Sequence, residues 1–179
     1  FYKKSVDEFS LPINSQDFGY SLGVLHHVPD TAGAVKVCAS LLKPGAPFLM
    51  YLYYALENKS FFYKFLWRCS DFLRKIICRL PSGPKHLITD FIAVIIYFPL
   101  AKGSLIIEKL GLSISSIPLS FYRNCSFYTM RTDSRDRFGT PLEQRFTKEE
   151  IYELMEGAGF KNIIFNSSEP RWCVLGIKS

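Results

Sequence analysis

The chain has 179 residues, 48% of them hydrophobic and 21% charged, and a net charge of +6. That is the size of one ordinary domain with enough apolar content to bury a core, which excludes a chain too short or too polar to fold. Five cysteines, Cys38, Cys69, Cys78, Cys125 and Cys173, are odd in number and scattered with no C-x-x-C pair, so a disulfide framework and a metal site are both disfavoured and a reduced, cytoplasmic protein is expected. The chain opens on Phe1 without a leader of charged, apolar and small-residue regions, and a fragment or processed chain is expected.

In chain order, Tyr2 to Val6 reads as a short strand, followed by a polar connection through Asp7, Pro12 and Asn14. The stretch "DFGYSLGVLHHVPD", residues 17 to 30, contains an apolar run from Phe18 to Leu25 that predicts a central strand covered on both faces. His26 and His27 then stand at its carboxyl end, the edge at which open α/β sheets bind ligands. Asp30 or Thr31 caps a helix whose apolar residues Ala34, Val35, Cys38, Leu41 and Leu42 have helical spacing, and Lys43-Pro44-Gly45 stops it. "PFLMYLYYA", residues 47 to 55, is a second strand. Strand, helix and strand with short connections make a βαβ unit with parallel strands.

Residues 56 to 146 break that rhythm. From Phe62, the apolar residues Phe65, Leu66, Cys69, Phe72, Leu73, Ile76, Ile77 and Leu80 recur at threes and fours, an amphipathic helix with the basic residues mostly elsewhere on the wheel. Between Asn58 and His86 stand Lys59, Lys64, Arg68, Arg74, Lys75, Arg79 and Lys85 against the single acid Asp71, which accounts for the whole positive excess. This basic face reads first as solvated, second as contact with an anionic membrane surface, and last as nucleic-acid binding, because no nucleic-acid motif accompanies it. Pro81-Ser82-Gly83-Pro84 is a breaker, and His86 to Leu110 reads as a helix kinked near Pro99. Its apolar run "FIAVIIYFPLA" falls short of the ~20 residues of a spanning helix, so a buried or interfacial helix is expected.

Residues 111 to 146 read as a loop rich in Ser, Arg, Tyr and Phe. Thr147 and Glu150 stand in capping-box positions of a last helix with Ile151, Leu154, Met155 and Ala158 inward. Lys161 to Ser167 and Trp172 to Lys178, separated by Glu169-Pro170, form a hairpin candidate.

The stretches "LPINSQDFGYSLGVLHHVPD" and "LLKPGA", supported by "EEIYELMEGAGF" and the closing "RWCVLGIKS", resemble the carboxyl-terminal part of a class I S-adenosylmethionine-dependent methyltransferase of the type 11-like group. The resemblance covers roughly residues 5 to 55 and 144 to 178. It implies an α/β fold, a partial doubly wound Rossmann-like sheet with a terminal antiparallel hairpin and a mainly helical insertion. Residues 1–55 would be a partial core, 56–146 an insertion or cap, and 147–179 the last helix and hairpin completing the core.

By the same resemblance the cofactor is S-adenosyl-L-methionine. Asp7, four residues before Leu11-Pro12, would accept the adenine amino hydrogens and the Glu8 backbone N–H would meet a ring nitrogen; the plain alternative for Asp7 is a solvated loop acid. Ser21, Leu22 and Gly23 would pass the methionine portion, with Gly23 letting backbone approach. His27, and less closely His26, would orient or deprotonate the acceptor, against the alternative of one packed histidine and one helix-entry residue. Tyr122, Arg123, Tyr128 and Arg131 would hold a small-molecule or lipid-like acceptor, or else Asp133 and Asp136 tie their arginines down. No metal and no nucleic acid are expected, and peripheral membrane contact through residues 58–101 is the alternative to a purely cytoplasmic protein.

Two departures from the family pattern stand out. The glycine-rich loop and the ribose-binding acid have no counterpart in residues 1 to 179, so the isolated chain is expected to bind the cofactor poorly. Ala46 replaces the second glycine of a "KPGG" turn. A catalytically inactive homologue serving as an interaction or peripheral membrane module is the rival reading; a dinucleotide oxidoreductase lacks its glycine fingerprint here.

Overall fold

The computed structural model describes residues 5–6, 11–57, 60–166 and 171–179. Asp7 and Glu8, most of the first expected strand, Lys59, and Glu169-Pro170 between the two expected hairpin strands lie outside the described residues. The chain forms two compact units, residues 1–59 with 142–179, and residues 60–141.

The first unit is built on the expected βαβ arrangement. β1 (Gly19–Leu22) and β2 (Pro47–Tyr53) are parallel, with Gly19 opposite Phe48 and Leu22 opposite Tyr51. Between them α1 (Thr31–Leu41) starts where Asp30 Oδ1 accepts the Gly33 N–H at 2.8 Å. A Cβ on residue 33 would collide with the capping Asp30 carboxylate and oblige it to turn away. Thr31 Oγ1 donates to the Leu25 carbonyl at 3.0 Å and ties the helix start to the end of the strand.

After α6 (Lys148–Gly157), opened by the Thr147/Glu150 capping box, β3 (Phe160–Phe165) and β4 (Arg171–Lys178) form the expected antiparallel pair. β4 inserts beside β2 in antiparallel register, Met50 opposite Val174, and the sheet order is β1-β2-β4-β3. The result is an open, mixed α/β sheet with a reversed strand and a terminal hairpin, as the sequence predicts. Phe48, Met50 and Leu52 on β2 pack with Val35 and Ala39 of α1, Ile151 and Met155 of α6, and Val174.

The expected central strand is shorter than its apolar run. Among the described residues β1 pairs with β2 alone, and its length shrinks from Phe18–Leu25 to four residues. The left-handed φ of Gly23, +71°, turns the chain out of the sheet and Leu25–His27 form a 3-10 turn. Nor is β1 covered on both faces. Gly19 and Ser21 point with Phe48 and Met50 into the core, where a Cβ on Gly19 would already meet the Phe48 ring at 3.0 Å, while Tyr20 and Leu22 are exposed. The residue that looks like one more apolar strand position is on the open face.

The second unit is helical. α2 (Phe61–Ile77) begins at Ser60, whose Oγ accepts the Tyr63 N–H. Its orientation is unusual: Arg74 is buried while Phe62, Phe65, Leu66, Phe72, Leu73 and Ile76 are exposed. The Arg74 guanidinium donates to the Thr140 and Pro141 carbonyls at 2.9 and 2.8 Å and pairs with Asp71, which also takes Lys75. Every polar hydrogen used so is withdrawn from water at no net loss of bonding.

Residues 82–109 form one continuous helical run: α3 (Ser82–Ile92), a π turn (Ala93–Tyr97) and α4 (Phe98–Lys109). The expected irregularity near Pro99 takes this form. Pro99 has no N–H to give, and the preceding N–H of Phe98 bonds one residue further back, to the Ala93 carbonyl. The run is longer than "FIAVIIYFPLA" suggests and, by length and composition, is long and apolar enough to cross a membrane. Of its charged residues, Asp90 is engaged by Arg135 at 2.7 Å and Lys102 by the Arg123 and Cys125 carbonyls.

Residues 127–139, expected as loop, form α5 (Phe127–Gly139). Its buried stripe is Met130, Ser134 and Phe138, four apart, and Ser134 Oγ donates to the Thr89 carbonyl at 2.7 Å. A serine in the middle of the stripe hides the helix from an apolar-periodicity reading.

Removing Arg74 should leave the Asp71 carboxylate with Lys75 alone and two buried carbonyls without a donor. Arg74→Ala is expected to lower the unfolding free energy by about 3 kcal/mol, measured by urea denaturation, while Arg68→Ala on the exposed side shifts it by less than about 0.5 kcal/mol. Equal effects would remove the structural role assigned to Arg74.

Candidate functional site

The carboxyl edge of β1 and β2 gathers the residues singled out in the sequence. Gly23 donates its backbone N–H to the Tyr51 carbonyl at 3.1 Å, and a Cβ added to it would sit 3.4 Å from the Tyr51 ring. Ser21 is half-buried and Leu22 exposed, one residue before that turn. Asp7 and Glu8, expected to meet an adenine ring, lie outside the described residues.

His26 and His27 follow on the 3-10 turn and part company. His26 is fully buried, its ring stacked on Tyr53 with centroids 3.9 Å apart and tilted against His27 at 4.1 Å. Neither of its ring nitrogens has a hydrogen-bond partner. Burial, then the neighbouring His27 and Arg145, pull its pKa from 6.5 down to about 3, so the ring is neutral at physiological pH. His27 is half-buried, and its Nδ1 lies 2.6 Å from the Leu142 carbonyl. A carbonyl can only accept, so Nδ1 carries the hydrogen and the lone pair is on Nε2.

A strap of residues 142–146 holds this edge together. The Gln144 N–H donates to the His26 carbonyl at 3.0 Å and its side-chain amide to the Val28 carbonyl at 2.6 Å. The Phe146 N–H donates to the Tyr53 carbonyl, and the Phe146 carbonyl accepts the Ala55 N–H, both at 2.9 Å. Between these bonds Arg145 lies over the Tyr53 ring at 5.4 Å, donates to the Tyr54 carbonyl and forms a bidentate pair with Glu143. Both partners of that pair are largely buried.

Sequence reasoning missed Tyr51, Tyr53, Glu143, Gln144 and Arg145. The alternation in "YLYY" placed Tyr51 and Tyr53 on one face and was a usable signal. "LEQR" gave none, because its role rests on backbone bonds to residues more than a hundred positions earlier.

A cavity of about 360 Å³ lies beside β1, lined by Phe18, Tyr20, Leu22, Val37, Cys38 and Leu41 among others. It is apolar, and no cluster of His, Cys, Asp and Glu fit for a metal exists among the described residues.

The expected acceptor residues lie in the other unit. Tyr122 and Arg123 stand on a 3-10 turn, Ser120–Asn124, and Tyr128 and Arg131 on the first turns of α5. Tyr122 packs on Tyr97. The Arg123 fork is occupied by Glu108, bidentate at 2.7 and 2.8 Å. Ion pairing therefore does tie Arg123 down, but through Glu108 rather than Asp133 or Asp136; Asp133 instead accepts from the buried Tyr97 hydroxyl. Tyr128 is exposed, with the Arg131 guanidinium 5.6 Å from its ring centroid.

Known proteins resemble the chain as follows. The family model described as a methyltransferase domain matches residues 1–50. No curated protein sequence matches. Similar solved structures include a SAM-dependent methyltransferase from Thermotoga maritima, 13% identical with a TM-score of 0.47 over 98% of this chain and 62% of that one. Another is a SAM-dependent methyltransferase from Methanosarcina mazei, 15% identical, TM-score 0.47, over 98% of this chain and 65% of that one. A third is an O-methyltransferase family protein from Burkholderia thailandensis, 11% identical, TM-score 0.43, over 93% and 31%. The chain thus spans less than two thirds of the length of these structures. The segment matched by the methyltransferase-domain model is the one that carries "LPINSQDFGYSLGVLHHVPD" and "LLKPGA".

Proposed function

We propose that this protein takes part in S-adenosylmethionine-dependent methyl transfer to a small or lipid-like acceptor, with the carboxyl edge of β1 and β2 as its site. The observation that carries the reading is the family match over residues 1–50, which ends on the strand pair whose edge holds Gly23 and His27.

The residues of that edge fit one flank of such a cofactor. Gly23 offers backbone with no side chain in front of it, and the exposed Leu22 and Val24 on either side offer apolar surface. When bound, the cofactor supplies an electrophilic methyl group on a sulfonium. His27 then orients the acceptor and takes its proton at Nε2, because Nδ1–H is held by the Leu142 carbonyl. His26 is a positioning residue: buried, neutral and stacked on Tyr53, it sets the turn that presents His27. Within the second unit, Tyr128 is exposed while Arg123 is held by Glu108.

Titrating S-adenosylhomocysteine into the full-length protein tests the reading, residues 1–179 alone being expected to bind it poorly. Saturable binding is expected, weakened at least tenfold by Gly23→Val, which adds bulk at a left-handed φ; a wild-type protein that takes up none would leave the inactive-homologue reading standing. His27→Ala is expected to keep that binding and to slow transfer of labelled methyl into a small-molecule and lipid extract by about 10²-fold or more.

The burial of His26 makes stability depend on pH. Its folded pKa is lowered, so below pH 6.5 the unfolded chain takes up the proton first and stability is lost as pH falls from about 6.5 toward 3. The urea midpoint should fall between pH 7.5 and pH 5, and His26→Phe, which keeps the stack on Tyr53, should at least halve that fall. An identical fall in both proteins would refute the assignment.

A further inference from the structure

The exposed apolar stripe of α2 is unexplained by methyl transfer. On an amphipathic helix of a soluble unit the apolar stripe faces inward. Here the inward side is Arg74, Ile77 and the half-buried Asp71 and Trp67, and the outward side is Phe62, Phe65, Leu66, Phe72, Leu73 and Ile76. Arg68, Lys75 and Arg79, all exposed, line one border of that stripe. The single acid of the helix, Asp71, is folded back onto Arg74 and Lys75, so the outward charge is all of one sign. The following helical run leaves a second apolar stripe exposed, through Leu87, Phe91, Val94, Ile95 and Phe98.

We infer that α2 lies on an anionic lipid bilayer, with its phenylalanine-rich stripe among the acyl chains and its arginines and lysine at the headgroups. Three features favour this occupant. The helix spans about 25 Å and presents large apolar side chains along all of it, the form of an in-plane interfacial helix rather than of a localised docking pocket. The basic border complements negative headgroups. A second copy of the chain meeting α2 through the same face would bring no exposed acid to that border.

Flotation of the intact protein with vesicles tests it, using phosphatidylcholine alone and phosphatidylcholine with 30 mole per cent phosphatidylserine. The wild type is expected to float with the anionic vesicles at ~0.1 M salt, where screening is modest, and to be released at ~1 M. Arg68→Gln/Lys75→Gln/Arg79→Gln should reduce anionic-vesicle affinity by about tenfold or more. Phe65→Asp/Phe72→Asp should abolish binding to both vesicle types. All five side chains are exposed, and unchanged circular dichroism and melting would confirm folded variants. Absence of wild-type flotation, or an unaltered affinity of the triple variant, would overturn the inference. So would a wild-type dimer that Phe65→Asp/Phe72→Asp returns to monomer without any vesicle binding. Flotation that survives both ~1 M salt and alkaline carbonate would overturn it in favour of residues 82–109 crossing the bilayer.

Discussion

The first unit depends on the return of the chain at residues 142–146 to the carboxyl edge of β1 and β2. Without Gln144 bonded to the His26 carbonyl and Phe146 bridging Tyr53 and Ala55, the backbone at these strand ends would have to find its partners in water. The same few bonds set the surroundings of both histidines. They bring the Leu142 carbonyl to His27 Nδ1 and the Glu143–Arg145 pair to Tyr53, and they close over His26. Segment 142–146 therefore decides, from more than a hundred residues away, which nitrogen of which histidine is available.

The second unit is governed by the opposite choice of face. Burying Arg74 strips water from a guanidinium, a cost of several kcal/mol if unmet, and the structure meets it with Asp71 and the carbonyls of Thr140 and Pro141. Once Arg74 points inward, helical geometry obliges the stripe through Phe65, Phe72 and Ile76 to point outward. The exposed aromatics of α2 are thus a consequence of a satisfied polar contact, not a failure of packing. The unit's own core forms elsewhere, from Ile77, Ile92, Tyr97, Ala101, Met130 and Phe138.

Sequence signals were most readable where local chemistry sets local structure. Asp30 with Gly33, the Thr147/Glu150 box and the Lys43-Pro44-Gly45 stop act within four residues, and each element they bound is where it was expected. Signals failed where the deciding partner is remote. A stripe such as that of α2 gives the face of a helix but not what covers it. The run Phe18 to Leu25 reads as covered on both sides because Tyr20 and Leu22 are apolar, yet only Gly19 and Ser21 face the core. In α5 the buried stripe passes through Ser134, which is satisfied by the Thr89 carbonyl 45 residues earlier, and composition alone cannot supply that bond.

The two adjacent histidines illustrate how far a local reading goes. A 3-10 turn advances about 120° per residue, so neighbours on it cannot face the same way. One of the pair had to turn inward, and the sequence "LHHVP" does not say which. Two things settle it in the structure: the flat face of Tyr53, two residues along from Tyr51 on the same side of β2, takes the His26 ring, and the Leu142 carbonyl takes His27. The inward ring is left with no hydrogen-bond partner and loses its affinity for a proton; the other gains a fixed tautomer. Of the pair, His27 is the histidine that the core did not take.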